Sequence, residues 1–331
     1  MKRSSADPTG GRDELSVFEV DVAHELGRTV GMDRVRRQWA LGRFTTFRVG
    51  GQADWFIEAH ADVELAAVLA AAARIGLSVT VLGGGSNVLI SDTGIRGLVV
   101  RVRHGEITRT NSGRSVRVSA GVTINGLIRW MIQRGLGGLE VWAGTPGTVG
   151  GAVHGNAHFR GRSISEVLSS VGLVAADGHT MVARTEEMRF GYDRCRLHAT
   201  SEVVQWAEFT VTEESADSLR SKARASLDFR KRTQPLDEPS AGCVFQNPMA
   251  ARDRLPAGMP CAAGALIDGA GLKGRLLGGA QVSKVHGNFF VTGPSASARD
   301  VRALIELCRE EVASRYDVTL VPEIIFLGEF D

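Results

Sequence analysis

Two clusters of glycine constrain this chain more than any other feature. The first, Gly83–Gly85, lies in "VLGGGSNVLI" after an apolar segment. The second runs through "WAGTPGTVGGAVHGNA", where Gly144, Gly147, Gly150, Gly151 and Gly155 recur. A tight turn between strands needs one or two glycines, so three in a row point to backbone that must approach something closely. Consecutive glycines can turn several amide N–H groups toward one anion. The first cluster is followed at once by Val88, Leu89 and Ile90 rather than by a helix, which excludes the fingerprint G-x-G-x-x-G. No Gly-Lys-Ser/Thr follows either, which excludes a P-loop. Two such loops about sixty residues apart suit one long ligand with a diphosphate near its middle, and a dinucleotide is the natural candidate.

The rest of the chain supplies ordinary globular material. Its 331 residues suit two or three compact domains. A net charge of +2 gives no reason to expect a nucleic-acid partner. Cys195, Cys243, Cys261 and Cys308 show no paired spacing, so neither a disulfide framework nor a zinc site is expected. The first residues lack the apolar core of a secretory signal, and the longest apolar run, Leu65–Ala73, is too short to span a bilayer. The expected location is cytoplasmic, without membrane insertion.

Residues up to about Gly31 are polar and read as a mobile extension. "GRFTTFRVGG", residues 42–51, reads as a strand and Asp62–Arg74 as a helix. Strands are expected either side of the glycine loop. Residues 142–164 read as one long loop, 168–213 as several strands and Ala216–Lys231 as a charged helix. The break "TQPLDEPSAG" then marks a domain boundary. Beyond it, Val301, Leu304, Ile305, Cys308 and Val312 recur at helical spacing behind a Ser297/Asp300 capping box, and residues 318–328 read as a closing strand. The fold class is α+β. One cysteine stands apart: Cys243, in "PSAGCVFQNP", follows small residues that let a ligand come close, so it is either core filling or a thiol aimed at a ligand.

The segments "TTFRVGGQADWF", "VLGGGSNVLI", "GIRGLVV", "GLEVWAGTPGTVGGAVHGNA", "FGYDRC", "PSAGCVFQNP", "GALIDGAGLKGRLLGGAQVSKVHGNFFV" and "VPEIIFLG" run in order from residue 45 to 328. In them the sequence resembles the UDP-N-acetylenolpyruvoylglucosamine reductase (MurB) family. The resemblance implies a vanillyl-alcohol-oxidase-type FAD-binding fold of two subdomains, 41–104 and 105–232. A C-terminal α+β substrate-binding domain over 233–331 would follow, with 1–40 left as an N-terminal extension. It implies non-covalent FAD, NADPH as hydride donor, small-molecule substrates only and a monomeric enzyme of peptidoglycan precursor synthesis. That enzyme reduces UDP-N-acetylglucosamine enolpyruvate to UDP-N-acetylmuramate. The short stretch between "FGYDRC" and "PSAGC" resembles the branch without an extra tyrosine-bearing substrate loop.

By the same resemblance, FAD would be held by Gly83, Gly84, Gly85, Ser86 and Asn87, and by Gly144, Pro146, Gly147, Val149, Gly150 and Gly151. Hydride added at C3 of the enolpyruvyl group builds charge toward the substrate carboxylate, so the site needs a cation and an acid that protonates C2. The match puts the acid at Cys243 and a glutamate at Glu323, with Tyr192, Asn247, Lys273 and His286 around the substrate. A neighbouring arginine is expected to lower the thiol pKa, so that ionisation of Cys243 sets an alkaline limb of activity. The cation is where the sequence departs. The family has Tyr-Arg where this chain has Tyr192-Asp193-Arg194, and neighbours on a strand face opposite sides. The candidate is Arg194 if a bulge restores it, with Arg160 or Arg230 as substitutes. Two other readings stand beside the reductase: a FAD-linked oxidase of the same fold, and a flavin-binding paralogue without catalysis.

Overall fold

Parallel strands covered on both faces read as near-continuous apolar runs, and the first sheet is built from such runs. In the computed structural model, which describes residues 16–103, 105–249 and 253–330, Gln52–Ala59 and Val79–Leu82 lie parallel to Ile95–Val102 on either side of it. The helix Asp62–Arg74 buries Leu65, Val68, Leu69 and Ala72 in one core with Trp55, Ile57 and Leu98 of this sheet.

The extension expected over residues 1–40 is structured from Val17 onward. Val17–Val30 is a helix opened by a reciprocal Ser16/Glu19 capping box. Val22, Leu26 and Val30 recur one turn apart on it and are buried. Charged residues between them obscure this narrow stripe in the sequence. Arg36–Ala40 then pairs antiparallel with Gln52–Ala59 and so belongs to the first sheet. Residues 1–15 lie outside the described residues. Residues 42–51 are not a strand: Gly42–Phe44 forms a 3-10 turn, and φ values of +58° at Arg48 and +120° at Gly50 prevent extension. The bend drops Phe47 and Val49 into the C-terminal core.

The second unit is a five-stranded antiparallel sheet in the order Thr180–Arg184, Leu168–Val174, Val203–Thr210, Ser115–Ser119, Ile107–Arg109. Helix Ile124–Gln133, capped by Thr123, buries Ile124, Leu127, Ile128 and Met131 beneath it, and helix Ala216–Thr233 follows the sheet. The segment 142–164 is more ordered than one long loop. Thr148 caps a short helix, Val149–His154, and His158–Phe159 forms a hairpin with Arg162–Ser163.

The C-terminal unit has its own core. Val301, Leu304, Ile305, Cys308 and Val312 of helix Ala298–Tyr316 are buried, so Cys308 is core filling as its spacing indicated. A three-stranded sheet, Leu276–Leu277, Ala280–Val282 and Phe290–Thr292, packs with it. Of the closing strand expected over 318–328, only Ile325–Leu327 is regular, and it pairs in parallel with Val88–Ile90 of the first unit. This last segment therefore crosses from the third core back to the first glycine loop. The Glu323 N–H donates to the Val244 carbonyl at 2.8 Å, and the Ile325 N–H to the Asn87 carbonyl at 3.0 Å.

Candidate active site

The glycine clusters meet, backbone against backbone. A Cβ on Gly84 would sit 2.6 Å from Gly147 Cα, one on Gly83 2.6 Å from Thr148 Oγ1, and one on Gly147 2.5 Å from Ser86 Oγ. Gly85, Gly144 and Gly147 also hold φ values of +63°, +85° and +100°, which favour glycine. Beside the second loop stands Arg230, 5% exposed, its side chain over the Phe159 ring at 3.7 Å. It donates to Thr145 Oγ1 at 2.7 Å and Gln234 Oε1 at 3.3 Å, both neutral, and its Nε is buried without a partner. Among the described residues it pairs with no carboxylate. Burial lowers its pKa to about 10, with the Cys243 thiol opposing. Bare main chain beside a buried, unbalanced guanidinium is a donor set that fits an anionic cofactor such as FAD.

Cys243 is held by a strand-like pairing across Phe289. The buried Asn288 side chain fixes Phe245, two residues on, accepting from its N–H at 2.9 Å and donating to its carbonyl at 2.7 Å. Cys243 keeps some accessible surface although its thiol sits deep among protein atoms. Burial pushes that thiol well above its ordinary range, and Glu323 and Asp193 push further the same way; Arg230 and an Asn288 hydrogen bond oppose them. The expected lowering by arginine is thus outweighed. Cys243 stays protonated through neutral and mildly alkaline pH, and its ionisation does not set an alkaline limb there.

Glu323 stands where the last segment crosses between cores. Its carbonyl accepts from Asn87 Nδ2 at 3.2 Å, which ties it to the first glycine loop. Burial raises its carboxyl pKa to about 8, Asp193 adds to the rise and His158 opposes it. At neutral pH it carries a proton.

"GYDRC" is a turn, not a strand. The N–H of Gly191 donates to the Arg194 carbonyl at 2.9 Å and the reverse bond spans 3.4 Å. Asn156 Nδ2 anchors the turn through the Gly191 carbonyl at 2.8 Å. Asp193 takes a left-handed φ of +52°. Arg194 is exposed, its side chain folded beside Gly191, while the Asp193 carboxylate is 8% exposed and pairs with His158 Nδ1 at 3.0 Å. The Tyr192 ring lies 4.7 Å from the imidazole, and its hydroxyl accepts from the Asn247 N–H at 3.3 Å. Burial raises the Tyr192 pKa to about 12. Arg194 is therefore not brought to the acids. Arg160 is exposed as well, and Arg230 is the arginine that is brought in.

The other expected substrate residues sit on the C-terminal unit. Asn247 Oδ1 accepts from the Ala263 N–H at 3.1 Å, opening the helix Ala263–Gly269. Lys273 pairs with Asp268 at 2.9 Å. His286 Nδ1 accepts from the Asn288 N–H at 3.1 Å, and burial, then Lys273, lowers its pKa. Sequence reasoning missed His158: a lone histidine carries no signal until its partner is known. A cavity of about 660 Å³ lined by Trp39, Arg43, Phe44, Phe56 and Arg101 contains none of these acid–base groups.

Comparison with known proteins agrees with this arrangement. The FAD binding domain model matches residues 53–184, and the model of the UDP-N-acetylenolpyruvoylglucosamine reductase C-terminal domain matches 234–327. The chain is 38% identical to the UDP-N-acetylenolpyruvoylglucosamine reductase of Synechococcus sp. over 90% of its own length and 93% of that protein's. It is 39% identical to that of Acaryochloris marina, covering 88% and 92%. The crystal structure of the Thermus caldophilus UDP-N-acetylenolpyruvylglucosamine reductase superposes with a TM-score of 0.74 at 31% identity, covering 89% of this chain and 99% of that one.

Proposed function

The chain belongs to the UDP-N-acetylenolpyruvoylglucosamine reductase family, and from that footing we propose that it reduces UDP-N-acetylglucosamine enolpyruvate to UDP-N-acetylmuramate with FAD and NADPH, a step of peptidoglycan precursor synthesis. One observation carries the reading: the last segment, bonded through Glu323 to Val244 next to Cys243, ties this substrate side to Asn87 of the first glycine loop. Gly83–Asn87 and Gly144–Gly151 would hold FAD, which when bound would supply the hydride, taken from NADPH, for C3 of the enolpyruvyl group.

The protein's own task is then to manage charge and one proton. Cys243, protonated at neutral pH, gives its S–H proton to C2, completing the addition; the thiolate regains a proton from water before the next turnover. Glu323, also protonated, donates a hydrogen bond to the substrate carboxylate as its electron density rises. Arg230 balances anionic groups beside the second loop, and Lys273 and His286 face the UDP-sugar from the C-terminal unit. The reading takes the enzyme as a monomer and, from its UDP-sugar substrate and NADPH, as cytoplasmic. Among the described residues no helix is long and apolar enough to cross a membrane.

The oxidase reading accounts for the loops but leaves the match over 234–327 without a role. The decisive experiment is anaerobic. The bound flavin is reduced chemically, UDP-N-acetylglucosamine enolpyruvate is added, and oxidised-flavin absorbance is followed. Rapid return is expected. No return, with flavin bound and oxygen excluded, refutes the reductase and leaves the oxidase or the silent paralogue.

A further inference from the structure

The reductase chemistry needs a cation near the acids, and Arg194 does not provide it. We propose that His158, held by Asp193, is the cationic group that faces the substrate carboxylate in this chain, with Asp193 as its positioning residue. The inference rests on the reductase reading.

Three observations carry it. The imidazole Nδ1 meets Asp193 Oδ1 at 3.0 Å, and the imidazole keeps 27% exposure where the carboxylate keeps 8%, so the histidine is the member of the pair open to a ligand. Asp193 holds a left-handed backbone, sparsely populated for residues other than glycine, and its Oδ2 is buried without a partner. Such a conformation is retained where the surrounding structure demands it, here through the Gly191–Arg194 bonds and the Asn156 anchor. Finally, a ring nitrogen of His158 and a carboxylate oxygen each of Asp193 and Glu323 all lie within 4.8 Å of one another, which puts the imidazole beside the glutamate proposed to donate to the substrate carboxylate. Arg230, the other cation of the cluster, is committed to Thr145 on the second-loop side.

The ionisation of the imidazole follows from what faces it. Asp193 raises its pKa, against burial, and Glu323 adds to the rise. Tyr192 lies against the ring, its pKa raised to about 12 by burial, and Cys243 interacts with the same two carboxylates, while Arg230 acts on the Cys243 thiol. His154, lowered to about 4 by burial and by His198, stays neutral in the working range. Glu323, raised to about 8 by burial, is the neighbour whose charge change accompanies that of the imidazole. Loss of the imidazolium as pH rises then slows the half-reaction.

The test is the anaerobic reoxidation rate of the flavin-loaded enzyme with UDP-N-acetylglucosamine enolpyruvate, taken from pH 5.5 to 9, with flavin content as the check on folding. Wild-type reoxidation is measured first; its absence refutes the reductase reading itself. Given wild-type activity, His158→Gln is expected to lower the maximal rate on the order of 100-fold with flavin loading unchanged. His158→Arg keeps the charge without its titration, so the rate is expected to recover and the alkaline limb to shrink to the part set by Glu323. Asp193→Asn moves the limb to lower pH. A His158→Gln rate within threefold of wild type overturns the assignment. So does an alkaline limb of the same position and depth in His158→Arg as in wild type, because the whole limb then belongs to Glu323. Loss of the rate on EDTA with recovery on zinc would make these three side chains a metal centre and overturn it as well.

Discussion

Replacing Glu323 by Gln keeps the side chain's size and removes its ionisation, which isolates the cost of burying this carboxyl. Its pKa rises from 4.5 to about 8 in the folded chain. Between those values the native state holds a proton that the unfolded chain has released. Stability from this group is complete below the unfolded value and is lost as pH rises through the folded one. Each pH unit inside the window changes stability by about 1.4 kcal/mol, so from pH 5.5 to 7.5 the wild type loses about 2.7 kcal/mol that the Gln variant keeps. Glu323 is coupled to His158, so the midpoint belongs to the pair, but the sign does not change. Urea unfolding followed by tryptophan fluorescence, with flavin in fixed excess at pH 5.5, 6.5 and 7.5, gives the difference directly. Glu323→Gln should gain on wild type at each step. Parallel pH curves, with the difference moving by less than about 1 kcal/mol, would refute a buried, protonated Glu323.

Two further outcomes follow from the same geometry. Because burial and two carboxylates hold the Cys243 thiol protonated, iodoacetamide at pH 8 should alkylate exposed Cys261 at least about tenfold faster, read by peptide mass spectrometry; preferential labelling of Cys243 would contradict this. Gly84→Ala puts a Cβ 2.6 Å from Gly147 Cα and must part the two loops. Flavin retention on gel filtration should fall at least about tenfold, while Gly105→Ala, with nothing within 4 Å, should retain it. Equal retention by both would separate the loops from the cofactor.

The legible parts of the sequence were those where one residue type answers one physical demand. Gly83–Gly85 and Gly144–Gly151 must lack Cβ atoms to let two stretches of main chain touch, and nothing but glycine does that. Asp62–Arg74 declared itself through Ala and Leu, and Cys308 through its neighbours' spacing. What stayed hidden depends on contacts distant in the chain. "GYDRC" alternates well enough for a strand, and only the Asn156 bond from another loop accompanies its closing into a turn with Asp193 inward. On the helix Val17–Val30 the buried stripe Val22, Leu26 and Val30 stands among charges and exposed apolar residues such as Phe18 and Val20, and gains meaning only against Asp62–Arg74. His158 acquires a role through Asp193, thirty-five positions later.

The protonation pattern of the site explains why so many acids can share it. Burial leaves Glu323 and Cys243 neutral at neutral pH, and Asp193 is offset by His158. Arg230 then remains as a positive charge with no counterpart among the described residues, in a place where an unpaired charge is expensive. An anionic cofactor such as FAD would supply the missing negative charge beside the second loop, so its binding would relieve an electrostatic cost already present in the folded chain. A substrate carboxylate raises the pKa of Glu323 further, since a like charge disfavours its ionisation. The carboxyl is thereby kept in its donating form when the substrate is in place. Charge imbalance in the empty site and acid strength in the loaded one are two consequences of the same burial.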